Sequence, residues 1–170
     1  MRNFKNVSLI RQKMLAEVFP EMLSFYSCVD VDGYKKASVS VFDHWLSQGE
    51  AIENIDNVSV IQANKNNEFL HKFAILLAQS TDAYMVKFRG KYSDKRVTYR
   101  EFTSQHGVVN SLIPKHHFAG GRSRFILALP QINSVYFEGC DFTHQVYYKT
   151  EKDLEFVTQL AKQSGLSIVQ

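Results

Sequence analysis

Apolar and polar positions alternate in three short runs between Arg124 and Lys149. The runs cover residues 125–129, 134–137 and 144–148. They are rich in Val, Ile, Tyr and Phe, which suit a pleated and half-buried surface. Segments 130–133 and 139–143, which contain Pro, Asn and Gly, supply two turns between the runs. The pattern predicts a three-stranded antiparallel meander over about 124–149, and we expect it at the centre of the fold.

Other segments repeat their apolar residues every three to four positions, which is typical of amphipathic helices. An N-terminal helical segment is expected over about 5–26, where Pro20 suits the first turn of a second helical piece. Its apolar stripe is expected to pack either on the protein's own core or on a second subunit. Three further helices are indicated by a Ser or Thr that precedes an acidic residue by three positions, as in a capping box. These pairs are Ser40 with Asp43, Thr98 with Glu101, and Thr150 with Asp153.

The boundaries of the remaining elements follow from the same patterns. We expect helices over 40–49, 66–79, 98–113 and 150–164, and strands over 58–62, 84–89 and 166–169. Strand 58–62, helix 66–79 and strand 84–89 are predicted to form a right-handed crossover with two parallel strands. A mixed order of this kind predicts an α+β fold with a largely antiparallel, mixed sheet and helices packed on its faces.

Composition places the chain among ordinary globular proteins. Its 170 residues are 45% hydrophobic and 22% charged, which favours one domain over 1–170. No apolar run approaches the roughly 20 residues of a membrane span, and charges interrupt any signal-peptide core, so we expect a cytoplasmic protein without a membrane partner. Cys28 and Cys140 are interpreted as reduced structural thiols, and the sequence indicates neither a cofactor nor a metal.

Charge is unevenly distributed along the chain. Residues 83–125 carry nine basic and two acidic residues, a net charge of +7, whereas the whole chain is at +3. Tyr92, Tyr99 and Phe102 are interleaved with the cations, and cations beside flat rings are what single-stranded nucleic acid requires. A solvated segment whose charge only maintains solubility is the favoured interpretation of the same residues. The predicted ligand-binding residues are Lys87, Arg89, Lys91, Arg96, Arg100, Arg122 and Arg124.

Residues 115–124, KHHFAGGRSR, are a second candidate for binding an anion. Two glycines followed by Arg-Ser-Arg can curl backbone N–H groups around a phosphate. The segment lacks the spacing of a P-loop and leads into a strand, so a simple flexible connection is the favoured interpretation.

A metal-dependent hydrolase is the main alternative function. Glu138, Asp141 and His144 surround the second turn of the meander, and their side chains are of the types that bind divalent metals. An Asp141 that caps the turn and an ordinary surface His144 are the favoured interpretation of the same residues.

The predicted order α-β-β-β-α-β over 98–169 is similar to the core of the restriction-endonuclease-like nucleases. That resemblance implies an acid on the second strand, here Glu138 or Asp141, and an acid-x-Lys motif on the third. Lys149 occupies the Lys position, and Tyr147 stands where the acid belongs. The resemblance therefore implies an inactive relative that only binds, and no catalytic residue is assigned.

Three hypotheses follow from the sequence. The first is a binding module that contacts nucleic acid or another anionic partner through residues 83–125. The second is a metal-dependent hydrolase or nuclease that uses Glu138, Asp141 and Lys149. The third is a protein-interaction module that forms a homodimer through its N-terminal helix.

Overall fold

The computed structural model describes residues 2–26, 30–90, 96–114 and 125–170. In these residues, eight strands form one sheet in the order β1-β4-β3-β5-β6-β7-β2-β8. Every pairing between neighbouring strands is antiparallel. The strands are β1 (Phe4–Asn6), β2 (Lys35–Ser40), β3 (Tyr84–Arg89), β4 (Arg96–Phe102), β5 (Ile126–Leu129), β6 (Ser134–Cys140), β7 (Thr143–Tyr148) and β8 (Ser167–Val169).

Helices connect and cover these strands. The α-helices are α1 (Leu9–Val18), α2 (Gln48–Ala51), α3 (Val60–Ser80), α4 (Gln105–Ser111) and α5 (Glu151–Gln163). Shorter helical turns occupy Pro20–Tyr26, Ile52–Asp56 and Pro130–Ile132. No helix in the described part of the chain is long and apolar enough to cross a membrane.

The predicted meander is present and lies in the middle of the sheet, where β5, β6 and β7 are consecutive neighbours. Asp141 and Phe142 both have a φ of 56°, and such positive values are typical of a tight two-residue hairpin turn. Gly139 is required beside this turn, because an added Cβ would lie 1.9 Å from the Thr143 carbonyl oxygen. The α+β prediction with an antiparallel sheet is confirmed.

Two apolar layers enclose the sheet, one on each face. We call face A the side that carries Met85, Leu127, Tyr136 and Val146; it packs against α3, α4 and α5. Face B carries the neighbouring, oppositely directed residues. Leu15 of α1 and the turn after it cover face B. The face B residues in that second layer include Tyr84, Val86, Tyr99, Ala128, Val135 and Tyr147.

The predicted helix at 40–49 and the predicted strand at 58–62 are both wrong. Ser40 ends β2, and its hydroxyl accepts a hydrogen bond from the Phe42 N–H at 3.1 Å. Ser59 is the N-cap of α3, so the β-branched residues that suggested a strand form the exposed first turn of a helix. The predicted parallel crossover is therefore also wrong: β3 follows α3, but both of its neighbours, β4 and β5, are antiparallel to it.

The predicted helix at 98–113 is wrong in its first half. Thr98 and Glu101 lie in β4, and α4 begins only after Ser104, whose hydroxyl accepts a hydrogen bond from the Gly107 N–H at 3.1 Å. By contrast, the capping box of α5 is confirmed: Asp153 accepts hydrogen bonds from the Thr150 backbone N–H at 3.1 Å and hydroxyl at 2.7 Å. Strand β8 follows, as expected.

The N-terminal segment is more varied than the single helical pattern suggested. It contains the short strand β1, helix α1 and a 3₁₀ turn that begins at Pro20. Leu15, Phe19 and Met22 are almost fully buried in the protein's own core, whereas Leu9 is 82% and Ile10 75% exposed. The extent of the domain, 1–170, stays a prediction.

Candidate nucleic-acid interface

The hairpin of β3 and β4 sets the positions of four of the predicted ligand-binding cations. In its register, Arg89 lies opposite Arg96, Lys87 opposite Thr98, and Met85 opposite Arg100. Side chains alternate along a strand, and residues directly opposite share a face. Lys87, Arg89, Arg96 and Arg100 therefore all lie on the Met85 side, which is face A. We call these four residues the basic face.

The basic face has a regular spacing. Its cations occupy three successive rows across the hairpin: the Arg89–Arg96 row, the row of Lys87 and the row of Arg100. Strand geometry separates successive rows by about 6.7 Å, so the outer two rows are about 13 Å apart. The two strands are only about 4.8 Å apart. The four cations consequently form a narrow track along the hairpin.

No acidic side chain neutralises this track within the described ranges. The ion pairs found there involve other cations, and none of the four basic-face residues takes part in one. Glu101, which neighbours Arg100 in sequence, points to the other side of β4 and pairs with Lys5 at 3.1 Å. The Arg100 Nε is buried and has no hydrogen-bond partner among the described residues. The four cations of the track therefore have no ion-pair partner in the described residues, and the buried Glu138 is an acidic residue of face A that lines the same cavity as Lys87.

The cations differ in exposure along the track. Lys87, Arg89 and Arg96 are exposed, whereas Arg100 is half-buried. Arg100 lies one row from the end of the sheet that α4 covers, where the Asn3 side-chain amide donates to the Ser111 hydroxyl at 3.2 Å. The track thus runs from an open surface toward a recess beside α4, whose lining includes Lys87, Asn3, Ser111 and Met85, the residue opposite Arg100.

The aromatic part of the sequence prediction is wrong for Tyr99. Tyr99 belongs to face B and is only 1% exposed. The Gln12 side-chain amide donates a hydrogen bond to the Tyr99 carbonyl oxygen at 2.7 Å and accepts one from the Tyr99 N–H at 3.0 Å. Phe102 packs against Phe4, with 5.2 Å between the ring centroids. Tyr99 is therefore not available to stack on a base, whereas Phe102 is half-buried on face A, one row beyond Arg100. Tyr92 and three of the predicted ligand-binding residues, Lys91, Arg122 and Arg124, lie outside the described residues.

The predicted hydrolase site is not assembled. Glu138 is buried on face A and accepts a hydrogen bond from the Phe125 N–H at 3.0 Å. Asp141 is in the turn before β7, whereas Lys149 follows the other end of β7 and lies 5.1 Å from the ring centroid of Tyr34. Within the described ranges, no three His, Cys, Asp or Glu side chains are grouped closely enough to hold a metal ion.

The interpretation of His144 as an ordinary surface residue is wrong. It is only 2% exposed, and its Nδ1 and the hydroxyl of Tyr136 are joined by a hydrogen bond of 2.5 Å. Burial, and secondarily the charge of Glu138, raises the pKa of Tyr136 well above its ordinary value. The signal for this buried pair was available, because His144 alternates in phase with Val146 and Tyr148, which are also buried on face A.

The 115–124 segment, with its candidate phosphate-binding glycines, lies outside the described residues, as does Cys28. The helix and strand order that carries the resemblance to restriction-endonuclease-like nucleases is present as α4-β5-β6-β7-α5-β8, with the first helix shortened to Gln105–Ser111. Comparisons with protein-family profiles, with curated proteins and with solved structures gave no match to this chain. The candidate site therefore depends on geometry and charge alone.

Proposed function

We propose that this protein is a binding module that contacts nucleic acid through its basic face, Lys87, Arg89, Arg96 and Arg100. One observation carries the proposal: the β3–β4 register puts four cations on one side of a hairpin, without an acidic partner in the described residues. The arrangement has a cost in the absence of a ligand, because Arg89 and Arg96 are directly opposite each other and like charges in that position destabilise a sheet. Phosphates that lie on the track would remove that repulsion.

The test is a binding titration of fluorescently labelled oligonucleotides, followed by anisotropy over a series of salt concentrations. We expect binding at low salt that weakens steeply as salt is added, because counterions are released when cations neutralise phosphates. The double variant Lys87→Ala/Arg89→Ala is expected to bind roughly tenfold more weakly or worse, from the loss of two phosphate contacts.

The matched control is Lys152→Ala/Lys162→Ala, which also removes two exposed cations but takes them from α5. It is expected to bind as the unmodified protein does, within about threefold, because net charge alone has a weak and screened effect. Equal losses in the two double variants would mean that binding follows net charge and not the basic face. Absence of binding at low salt would refute the proposal.

A homodimer through the N-terminal helix is a second proposal, and the exposure of Leu9, Ile10 and Met14 on α1 favours it. Three apolar side chains within two turns of one helix form an exposed patch of the type found at protein contacts. Sedimentation of the protein beside Leu9→Lys/Ile10→Glu, which keeps the net charge, tests it. A protein that remains monomeric at high concentration would refute it.

A further inference from the structure

We infer that the ligand of the basic face is a single, extended phosphodiester strand, which lies along the β3–β4 hairpin and is held by its phosphates, not by its bases. This inference rests on the proposed function and specifies the form of nucleic acid and the manner of its recognition. It follows from the spacing of the track, from the lack of aromatic residues in its three rows, and from the half-buried position of Arg100.

The spacing of the track excludes a small anion as the whole ligand. One phosphate can bind between Arg89 and Arg96, which lie directly opposite each other. It cannot also reach Arg100, which is two rows or about 13 Å away. The rows repeat about every 6.7 Å, an interval similar to that between successive phosphates of an extended nucleotide strand. A ligand that places one phosphate at each of the three rows needs three consecutive phosphates. A tetranucleotide, which has three phosphodiester linkages, is the shortest strand that provides them.

None of the three rows of the track contains an aromatic residue on face A: the rows pair Arg89 with Arg96, Lys87 with Thr98, and Met85 with Arg100. Tyr99 is buried on face B, and Phe102 lies on face A one row beyond Arg100, half-buried against Phe4. The three rows themselves therefore offer cations without the stacking platforms of sequence-tolerant single-strand binders. Contacts to phosphates position a nucleic acid but carry no sequence information. Recognition by the basic face should therefore be almost independent of base identity.

Arg100 distinguishes a single strand from a duplex. Its side chain is half-buried and its Nε fully buried, at the end of the track nearest to α4. A ligand that contacts all three rows must leave the open surface at Arg89 and Arg96 and descend into this recess. A flexible single strand can follow that path. A duplex is too wide and too stiff to do so, and would contact only the exposed cations.

The experiment compares ligands that differ in one property at a time, by anisotropy or competition at low salt. The probes are a dithymidylate, a tetrathymidylate, a tetraadenylate, a duplex of matched length and free ATP. We expect the tetrathymidylate to bind at least about tenfold more tightly than the dithymidylate or ATP, and the tetraadenylate to match it within about threefold. The duplex should bind more weakly than a single strand with the same number of nucleotides.

The second readout is the salt dependence of binding by the variant Arg100→Gln. This substitution keeps a long polar side chain at position 100 and removes its charge. It should lower the magnitude of the salt slope for the single strand by roughly 0.7, the value for one phosphate contact, and leave the slope for the duplex unchanged. The matched variant Lys87→Gln should reduce both slopes. Circular dichroism and thermal unfolding of each variant confirm that it is folded.

The outcomes distinguish a failure of this inference from a failure of the proposed function. ATP that binds as tightly as the tetranucleotide would indicate a discrete anion site, and a tenfold base preference would indicate base reading; either result refutes this inference and leaves the basic face as a binding site. A duplex that binds more tightly than the single strand would refute the inference in the same way. Failure of every probe to bind would refute the proposed function itself.

Discussion

The substitution Arg96→Glu is expected to make the protein more stable and to weaken its binding to nucleic acid. Arg96 lies directly opposite Arg89 at an exposed position of the hairpin. The substitution replaces a like-charge cross-strand pair by an oppositely charged one, and such pairs change stability by roughly 0.2–1 kcal/mol in each direction. Exposure and salt reduce the effect, and Glu is a weaker strand former than Arg. The expected net gain is about 0.5 kcal/mol.

A gain of this size corresponds to a rise of about 1–2 °C in the melting temperature of a protein of this length. The assay is a double-mutant cycle of Arg89→Glu, Arg96→Glu and the doubly substituted protein, unfolded by urea at low salt. Each single variant should be more stable than the unmodified protein, and the double variant should return close to it, because two carboxylates again face each other. In about 1 M salt, where charges are screened within about 3 Å, the coupling should nearly vanish.

Binding is expected to follow a different order, because it depends on the charge of the face and not on the balance within the pair. Both single variants should bind oligonucleotides more weakly than the unmodified protein, and the double variant more weakly still. Two results would refute the reasoning: a coupling free energy near zero at low salt would mean that the two side chains do not face each other, and unchanged binding by Arg96→Glu would mean that the ligand does not use this row.

Three further predictions concern the folded state. Tyr99→Phe should change the free energy of unfolding by less than about 1 kcal/mol, because its buried hydroxyl has no partner among the described residues. Tyr136→Phe should cost about 1–3 kcal/mol, because it removes a buried hydrogen bond to His144. Equal losses in urea unfolding would contradict the contrast. Thr150→Ala removes one side of a capping box and should cost about 1 kcal/mol, and no change in urea unfolding would exclude the cap as a stabilising element. Hydrogen bonds to Asp43, and then to Glu50, raise the pKa of His44 above 6.5. The resulting stabilisation is complete below the ordinary pKa and is lost as pH rises through the raised value; an NMR titration in which Asp43→Asn does not lower the pKa of His44 would contradict this cause.

The parts of the fold that the sequence predicted correctly are those in which local and tertiary signals agree. Helix α5 has a capping box at its start, an apolar stripe on one side and Gly165 after its end, where φ is +80°. The meander has alternating strands and turn residues between them. No strand forms at 58–62, because its β-branched residues are not buried: Val60 and Ile61 are 74% and 84% exposed in the first turn of α3. Propensity without burial is a weak guide to strands.

The segment 96–102 shows why the site could be predicted only in part. The spacing of Thr98 and Glu101 fits a capping box at the start of a helix. The same residues are also compatible with a strand, so the local sequence alone does not distinguish the two assignments. Burial distinguishes the two: Tyr99 is enclosed by the layer under α1, and its backbone hydrogen-bonds to Gln12, so tertiary contacts override the local helix signal. The sequence could identify the cations of this segment but not the element that orients them.

The strand conformation of residues 96–102 is also what assembles the basic face. A helix started at Thr98 would have carried Arg100 away from Lys87, whereas an antiparallel strand folds it back to the same side. The position of the cations also depends on the register of β4. A slip of one residue would move Arg96 and Arg100 to face B and would move Tyr99 out of its buried position there. The apolar burial of Tyr99 and Val86 on face B therefore determines which side of the hairpin carries the charge. On this view the hydrophobic layer formed with α1 positions the candidate binding site on the opposite side of the sheet, although the ligand would not contact that layer.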